Sequence, residues 1–131
     1  PDLRMTLLDA SRKRVNFQRT VLRRLGLGNV ICIEAKLEDL LQQDGYRHAY
    51  DGIISRAFAA LDRWMPEALP LVKPGGRLIA MTGVVEDATI HLLEESICGK
   101  VSGMDCIPYR LPYHPSSSGQ RNIFIVFLKA E

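Results

Sequence analysis

The chain has 131 residues, enough for one hydrophobic core and too few for two. With 47% hydrophobic and 24% charged residues it has the composition of a globular, soluble domain, and no apolar run approaches the ~20 residues of a membrane helix. The formal net charge of +2 hides an asymmetry: residues 1–33 carry seven bases against two acids, and the remainder carries ten bases against thirteen acids.

No signal peptide opens the chain. Cys32, Cys98 and Cys106 are odd in number and far apart, which argues against a disulfide framework or a zinc knuckle and for a reducing, cytoplasmic compartment. His48, His91 and His114 are equally scattered, so no metal site is expected. The basic N-terminal third suits a polyanionic partner, although a solvated helix face gives the same charge run.

Taken in order, Leu3–Leu8 reads as a first strand, with Asp9-Ala10-Ser11 directly after it. Asp9 or Ser11 is placed to cap a helix that runs to about Leu25 and is ended by Gly26 and Gly28. Val15, Leu22 and Leu25 form its apolar stripe, with Phe17 and Val21 beside it and the arginines opposite. Asn29–Ile33 is a second strand, apolar on both faces in the manner of a buried parallel strand. A loop over Glu34–Asp39 leads into a short helix at Leu37–Leu41.

Tyr50–Ala80 then forms the unit around which the chain is organised: a strand at Tyr50–Ile54, a helix from Leu61 to Leu71 and a strand from Arg77 to Met81. Lys73-Pro74-Gly75-Gly76 is expected to stop that helix, with Lys73 as the cation of its last turn. A connection of this length makes the two strands parallel and the crossover right-handed. Glu86–Ile97 is a further helix. Val101–Leu111 and Ile123–Lys129 are the last strands, and the loop Pro112–Gly119 between them is too short for a helical crossover, so the pair is antiparallel.

The fold class is therefore α/β, a Rossmann-like parallel sheet with a C-terminal antiparallel hairpin, filling residues 1–131 as one domain; in ending on such a hairpin it resembles, by analogy of fold alone, the class I S-adenosylmethionine-dependent methyltransferases. Ligands of open α/β sheets bind beyond the carboxyl ends of the strands. Three polar clusters belong there. Asp9 suits the two hydroxyls of a ribose, or else is simply a helix cap. Glu38, in the stretch Lys36–Asp39, suits an adenine amino group, or else is an ordinary surface acid. Arg56 follows the third strand, where a guanidinium fork suits a carboxylate or phosphate, or pairs with a nearby acid.

The strings Asp9-x-x-x-Lys13-Arg14-Val15-x-Phe17, Leu25-Gly26-Leu27-x-Asn29-Val30, Asp51-Gly52-Ile53-Ile54-Ser55-Arg56-Ala57-Phe58-Ala59 and Leu71-Val72-Lys73-Pro74-Gly75-Gly76-Arg77 together resemble the GidB family. These are the ribosomal RNA small subunit methyltransferases G. The Lys-Pro-Gly-Gly-Arg turn is common to many class I methyltransferases, whereas Ser-Arg-Ala-Phe-Ala is far more specific. The resemblance runs from Leu3 to Lys129.

It implies S-adenosylmethionine as cofactor, held by Asp9 and Ala10 at the ribose, by Leu37 and Glu38 at the adenine and by Arg56 at the cofactor or incoming base. It implies small-subunit ribosomal RNA as partner, with Arg12, Lys13, Arg14, Arg19 and Arg121 as phosphate contacts, and methylation of guanine N7 in bacterial 16S ribosomal RNA as the activity.

Two departures accompany it. The family's first, central strand and its Gly-rich loop have no counterpart here, so the chain reads as the C-terminal portion of a longer family domain. Thr82-Gly83 stands where the family carries Lys-Gly. The strands on either side of the missing one are expected to pair with each other, to be completed by another molecule, or to mark a cut piece. A remnant that binds RNA without turnover is the alternative reading. A signalling receiver with Asp9 as phosphoacceptor fits poorly, because Met81-Thr82 stands where such a domain needs a lysine.

Overall fold

The computed structural model describes residues 2–56, 60–112 and 120–131. The element order is β1 (Met5–Asp9), α1 (Arg12–Leu25), β2 (Val30–Glu34), α2 (Leu37–Leu41), β3 (Tyr50–Arg56), α3 (Leu61–Ala68), β4 (Val72–Thr82), α4 (Asp87–Ile97), β5 (Val101–Arg110) and β6 (Gln120–Leu128), with short 3₁₀ turns at Asp44–Tyr46 and Leu69–Leu71. Two compact units divide it, Pro1–Gln43 and Asp44–Glu131.

In the first unit β1 and β2 are parallel, in register from Met5 opposite Val30 to Asp9 opposite Glu34. Helix α1 connects them. Ser11 is its N-cap, with Oγ accepting from the Arg14 N–H at 3.4 Å, so the cap falls to Ser11 and not to Asp9. Gly26 closes the helix in the left-handed region at φ 66°, its N–H reaching the Arg23 carbonyl while Leu27 N–H reaches that of Leu22. Val15 is fully buried, but Phe17 and Leu25 are 70% and 64% exposed, so the expected apolar stripe is only partly used. β2 likewise departs from expectation. Ile31 is 57% exposed, because a strand buried on both faces needs cover on both, and in this unit α1 is the one helix that runs against it.

The second unit is a four-stranded sheet in the order β3-β4-β6-β5. β3 and β4 are parallel, and β6 runs antiparallel to both β4 and β5, as the short final loop requires. Residues 113–119 of that loop lie outside the described residues. Register puts Leu78 opposite Val126 and Ala80 opposite Phe124, so these four share one face. All four are buried, as are Trp64, Met65 and Ala68 of α3 and Leu93 and Ile97 of α4. Each large apolar side chain removed from water in this way stabilises by ~1.5–3 kcal/mol. On the opposite face Ile54, paired with Ile79, is 63% exposed.

The middle of the unit corrects two expectations. α3 stops at Ala68 and gives way to a 3₁₀ turn, because Pro70 has no N–H to continue the helical ladder. The carbonyls of Pro70 and Leu71 instead accept from the N–H groups of His48 and Ala49, which ties the turn to the start of β3. Lys73-Pro74-Gly75-Gly76 is not a helix stop but an irregularity within β4: Tyr50 faces Val72, yet Gly52 faces Arg77. Lys73 therefore caps nothing; its Nζ donates to Asp51 Oδ1 at 2.9 Å.

β1 has β2 as its sheet neighbour and β3 has β4. Among the described residues each of these two parallel strands thus keeps one edge without a hydrogen-bonded partner. Direct pairing of β1 with β3, one of the three expected outcomes, is not found.

Candidate functional site

At the carboxyl end of the first unit, register sets Asp9 beside Glu34. Two adjacent carboxylates repel, and the first turn of α1 supplies a guanidinium to each. Arg14 Nε donates to Asp9 Oδ2 at 2.7 Å, and Arg12 Nε donates to Glu34 Oε1 at 3.2 Å. The Ser11 N–H donates to Asp9 Oδ1 at 2.9 Å. The hydrogen bond from Arg14 is the main reason that the Asp9 carboxyl lies below its ordinary value of 3.8. The Ser11 N–H and the Arg14 charge add to the effect, and burial opposes it. Arg14 is raised correspondingly by the same bond.

Because its folded value is depressed, Asp9 contributes stability that is present above pH 3.8 and lost as pH falls through the folded value. Replacing Arg14 by Gln should reduce that contribution to the part that the Ser11 N–H supplies, so the variant's acid-unfolding curve, followed by circular dichroism, should be shallower below pH 4 and coincide with wild type in shape above pH 5.

A ribose needs two acceptors, and the fit can be checked on this carboxylate. Two ionised oxygens offer about four lone-pair positions, of which Ser11 and Arg14 use two. One position per oxygen remains, enough for two hydroxyls. The residues present fit the group.

Leu37 and Glu38 open α2 in the same unit. Leu37 is buried and Glu38 is exposed, without a hydrogen bond or ion pair to another described residue. Lys36 N–H donates to Asp39 Oδ2 at 2.9 Å and fixes the turn that presents them. Ala10 lies between Asp9 and Ser11 in the tight turn that these bonds close.

In the second unit Arg56 ends β3 opposite Met81. It is exposed and has no hydrogen bond or ion pair to another described residue, so the anticipated pairing with a nearby acid is not seen there. Ala57-Phe58-Ala59 of the same motif lie outside the described residues. Arg121 is the second residue of β6, whose antiparallel course brings it to that same end of the sheet, beside Thr82-Gly83.

Among the basic residues expected at RNA, Arg12 and Arg14 already hold acids, and Arg19 Nη2 donates to the Cys32 carbonyl at 3.4 Å. Lys13 is exposed without a described partner. The sequence reading missed these pairings, although the spacing Asp9–Arg14 across a helix start was a readable signal. A groove of about 660 Å³ runs between the second half of α1 and β2, lined by Arg19, Arg23, Leu27 and Val30 among others. It faces the amino ends of the strands, opposite Asp9, and so does not mark the cofactor end. Among the described residues no three His, Cys, Asp or Glu gather as metal ligands, and no helix is long and apolar enough to cross a membrane.

A strand order with an antiparallel last strand inserted beside a parallel pair, and acids and cations at the carboxyl ends, defines the class: a class I, S-adenosylmethionine-dependent methyltransferase fold. The structure is similar to a predicted O-methyltransferase from Agrobacterium tumefaciens (TM-score 0.70, 13% identity, 94% of this chain and 61% of that one). It is also similar to a S-adenosylmethionine-dependent O-methyltransferase from Thermotoga maritima (TM-score 0.69, 9% identity, 98% of this chain and 51% of that one). The chain belongs to the GidB family, rRNA small subunit methyltransferase G, whose model matches residues 1–104. It is 36% identical over 126 residues to the ribosomal RNA small subunit methyltransferase G of Alkalilimnicola ehrlichii, covering 94% of this chain and 51% of the relative. The chain thus spans about half the length of the curated relatives it matches.

Proposed function

We propose that this chain is the C-terminal portion of a cytoplasmic methyltransferase domain that transfers a methyl group from S-adenosylmethionine to guanine N7 of bacterial 16S ribosomal RNA. The observation that carries the reading is the Asp9 carboxylate, ionised and with acceptor positions to spare, at the end of β1 in a GidB-family chain.

The cofactor, when bound, supplies the electrophilic methyl on its sulfonium. In the first unit Asp9 would hold the ribose hydroxyls, with Ala10 beside them in the turn, and Leu37 and Glu38 would meet the adenine; in the second unit Arg56 would offer its guanidinium to a carboxylate or to the incoming base. Guanine N7 carries a free lone pair, so no side chain has to remove a proton. The work of the chain is alignment, which can supply ~7–11 kcal/mol of a barrier of this kind. Lys13, and Arg12, Arg14, Arg19 and Arg121 to the extent that their internal contacts leave guanidinium N–H groups available, take RNA phosphates.

The test is calorimetric titration of the chain with S-adenosylmethionine. Saturable binding is expected. A second reading, an RNA-binding remnant without turnover, is supported by β1 and β3, each of which among the described residues lacks a hydrogen-bonded partner along one edge. It predicts RNA binding with no cofactor heat.

A further inference from the structure

Strand β2 has an outer edge, away from β1, and α1 leans over it. The bonds from Met5 N–H to the Asn29 carbonyl and from Ala35 N–H to that of Asp9 turn Asn29, Ala35 and the alternate residues between them towards β1. By the alternation of a strand, Val30 and Cys32 direct their N–H and carbonyl groups outward, where no described strand pairs with them. Arg19 reaches that edge from the helix, its Nη2 donating to the Cys32 carbonyl at 3.4 Å. The groove of about 660 Å³ lies here, and Asn16, Arg19, Thr20 and Arg23 line its helix side as one stripe.

This groove is rich in donors and poor in acceptors. No acidic residue of the described chain lines it. Arg23 Nη2 lies 3.5 Å from Thr20 Oγ1, which itself donates to the Asn16 carbonyl at 3.0 Å. The acceptors of Arg19 and Arg23 are both neutral, so the two charges stay uncompensated, and each bond uses one of the five N–H groups of a guanidinium. The outward N–H groups of Val30 and Cys32 are further donors. An added peptide strand would need the Cys32 carbonyl as an acceptor, and Arg19 already occupies it. A phosphate needs only donors and positive charge. The groove is thus matched to a nucleic-acid backbone and not to an extended peptide.

We propose that the groove between α1 and β2 is a second RNA subsite, in which Arg19 and Arg23 hold the sugar–phosphate backbone away from the methyl-transfer end. This rests on the reading of ribosomal RNA as the partner. At a rise of about 1.5 Å per residue, Arg23 stands about 14 Å further along α1 than Arg14. The RNA held here is therefore a flanking part of the substrate and not the methylated nucleotide. Such contacts read no bases; they supply affinity and set the register of the RNA on the protein.

The experiment is fluorescence anisotropy of the 131-residue chain with a full-length 16S ribosomal RNA transcript across a salt series. Arg23→Ala should weaken binding about fivefold and lower the slope of log affinity against log salt by about one, and the double variant with Arg19→Ala should lower it by about two. Arg24→Ala, which removes the same charge one residue along the helix but outside the groove, should stay within about twofold of the parent at unchanged slope. Gly28 also lines the groove, has open space where a Cβ would stand and does not occupy the left-handed region. Gly28→Glu should therefore fold, and weaken binding more than its neutral match Gly28→Gln. If Arg23→Ala loses its thermal transition, Arg23→Gln carries the comparison.

Parent affinity and slope in the Arg23 variant would overturn the subsite, and so would a loss at unchanged slope. Equal losses from Arg23→Ala and Arg24→Ala would replace it with a diffuse basic helix. Poly-glutamate that binds the parent and is lost in Arg23→Ala, beside RNA binding that is not, would give the groove to an acidic polypeptide. No RNA binding by the parent chain would overturn the reading of RNA as partner and the subsite with it.

Discussion

Replacing Gly76 by alanine is expected to destabilise the fold by about 3 kcal/mol, among the largest losses that any single methyl group should cause here. The added carbon would lie 2.5 Å from Val72 Cγ1, 2.7 Å from the Asp51 carbonyl and 2.9 Å from that of Lys73. Two of the three obstacles are backbone atoms, which cannot rotate out of the way. Gly75, its neighbour, gives the control. It sits at φ 77°, yet a Cβ there would meet only Ala130 at an ordinary 3.8 Å, so Gly75→Ala should cost only the ~1–2 kcal/mol of left-handed strain. Urea denaturation of the two variants measures the difference. Equal midpoints would show that the strand irregularity yields easily and that crowding at Gly76 is not what makes the glycine necessary.

The second large effect concerns ligand binding. Asp9→Asn should reduce affinity for S-adenosylmethionine about a hundredfold, because each hydroxyl bond to a charged acceptor is worth ~1.5–3 kcal/mol and both weaken when the carboxylate becomes an amide. The substitution also releases Arg14, whose Nε bond to Asp9 is 2.7 Å long. Arg14→Gln separates the two causes: it keeps both acceptor oxygens of Asp9, so it should bind cofactor far better than Asp9→Asn at neutral pH. Titration calorimetry of parent, Asp9→Asn and Arg14→Gln decides it. Unchanged affinity in Asp9→Asn beside a parent chain that binds would remove Asp9 from the cofactor site.

The parts of the fold that periodicity controls were legible in the sequence. Helix α1 starts at its serine cap and ends at Gly26, α4 spans Asp87–Ile97, and the final strands pair antiparallel because the nine residues between Arg110 and Gln120 leave no room for a crossover. What escaped the reading turns on single residues that act on their neighbours' backbone. Pro70 looks like one more residue in an apolar helical pattern, yet its missing N–H ends α3 at Ala68 and hands Leu69–Leu71 to a 3₁₀ turn. Lys73-Pro74-Gly75-Gly76 has the composition of a helix stop, and composition cannot show that β4 passes through it with Lys73 held by Asp51.

At the candidate site the residue types at the strand ends were readable, and their couplings were not. The family resemblance made Arg12 and Arg14 look like RNA contacts. Only the strand register, which sets Asp9 beside Glu34, explains why those two cations are drawn inward. The nominal surplus of positive charge on α1 therefore overstates the field that a distant polyanion meets: two of its cations are offset by acids, and among the described residues Lys13, Arg19, Arg23 and Arg24 carry the remainder.

The bare ladder along β3 also has a practical consequence. Tyr50–Arg56 carries one charge at Asp51 and one at Arg56, and between them only Gly52, Ile53, Ile54 and Ser55. Among the described residues this edge carries neither lysine nor proline, and its irregularity lies at Tyr50–Gly52, so the regular stretch Ile53–Arg56 is a template on which other chains stack. Handled alone at high concentration, the polypeptide should turn cloudy well before its modest net charge would suggest, and colloidal behaviour, more than folding, would then set the working range of every titration above.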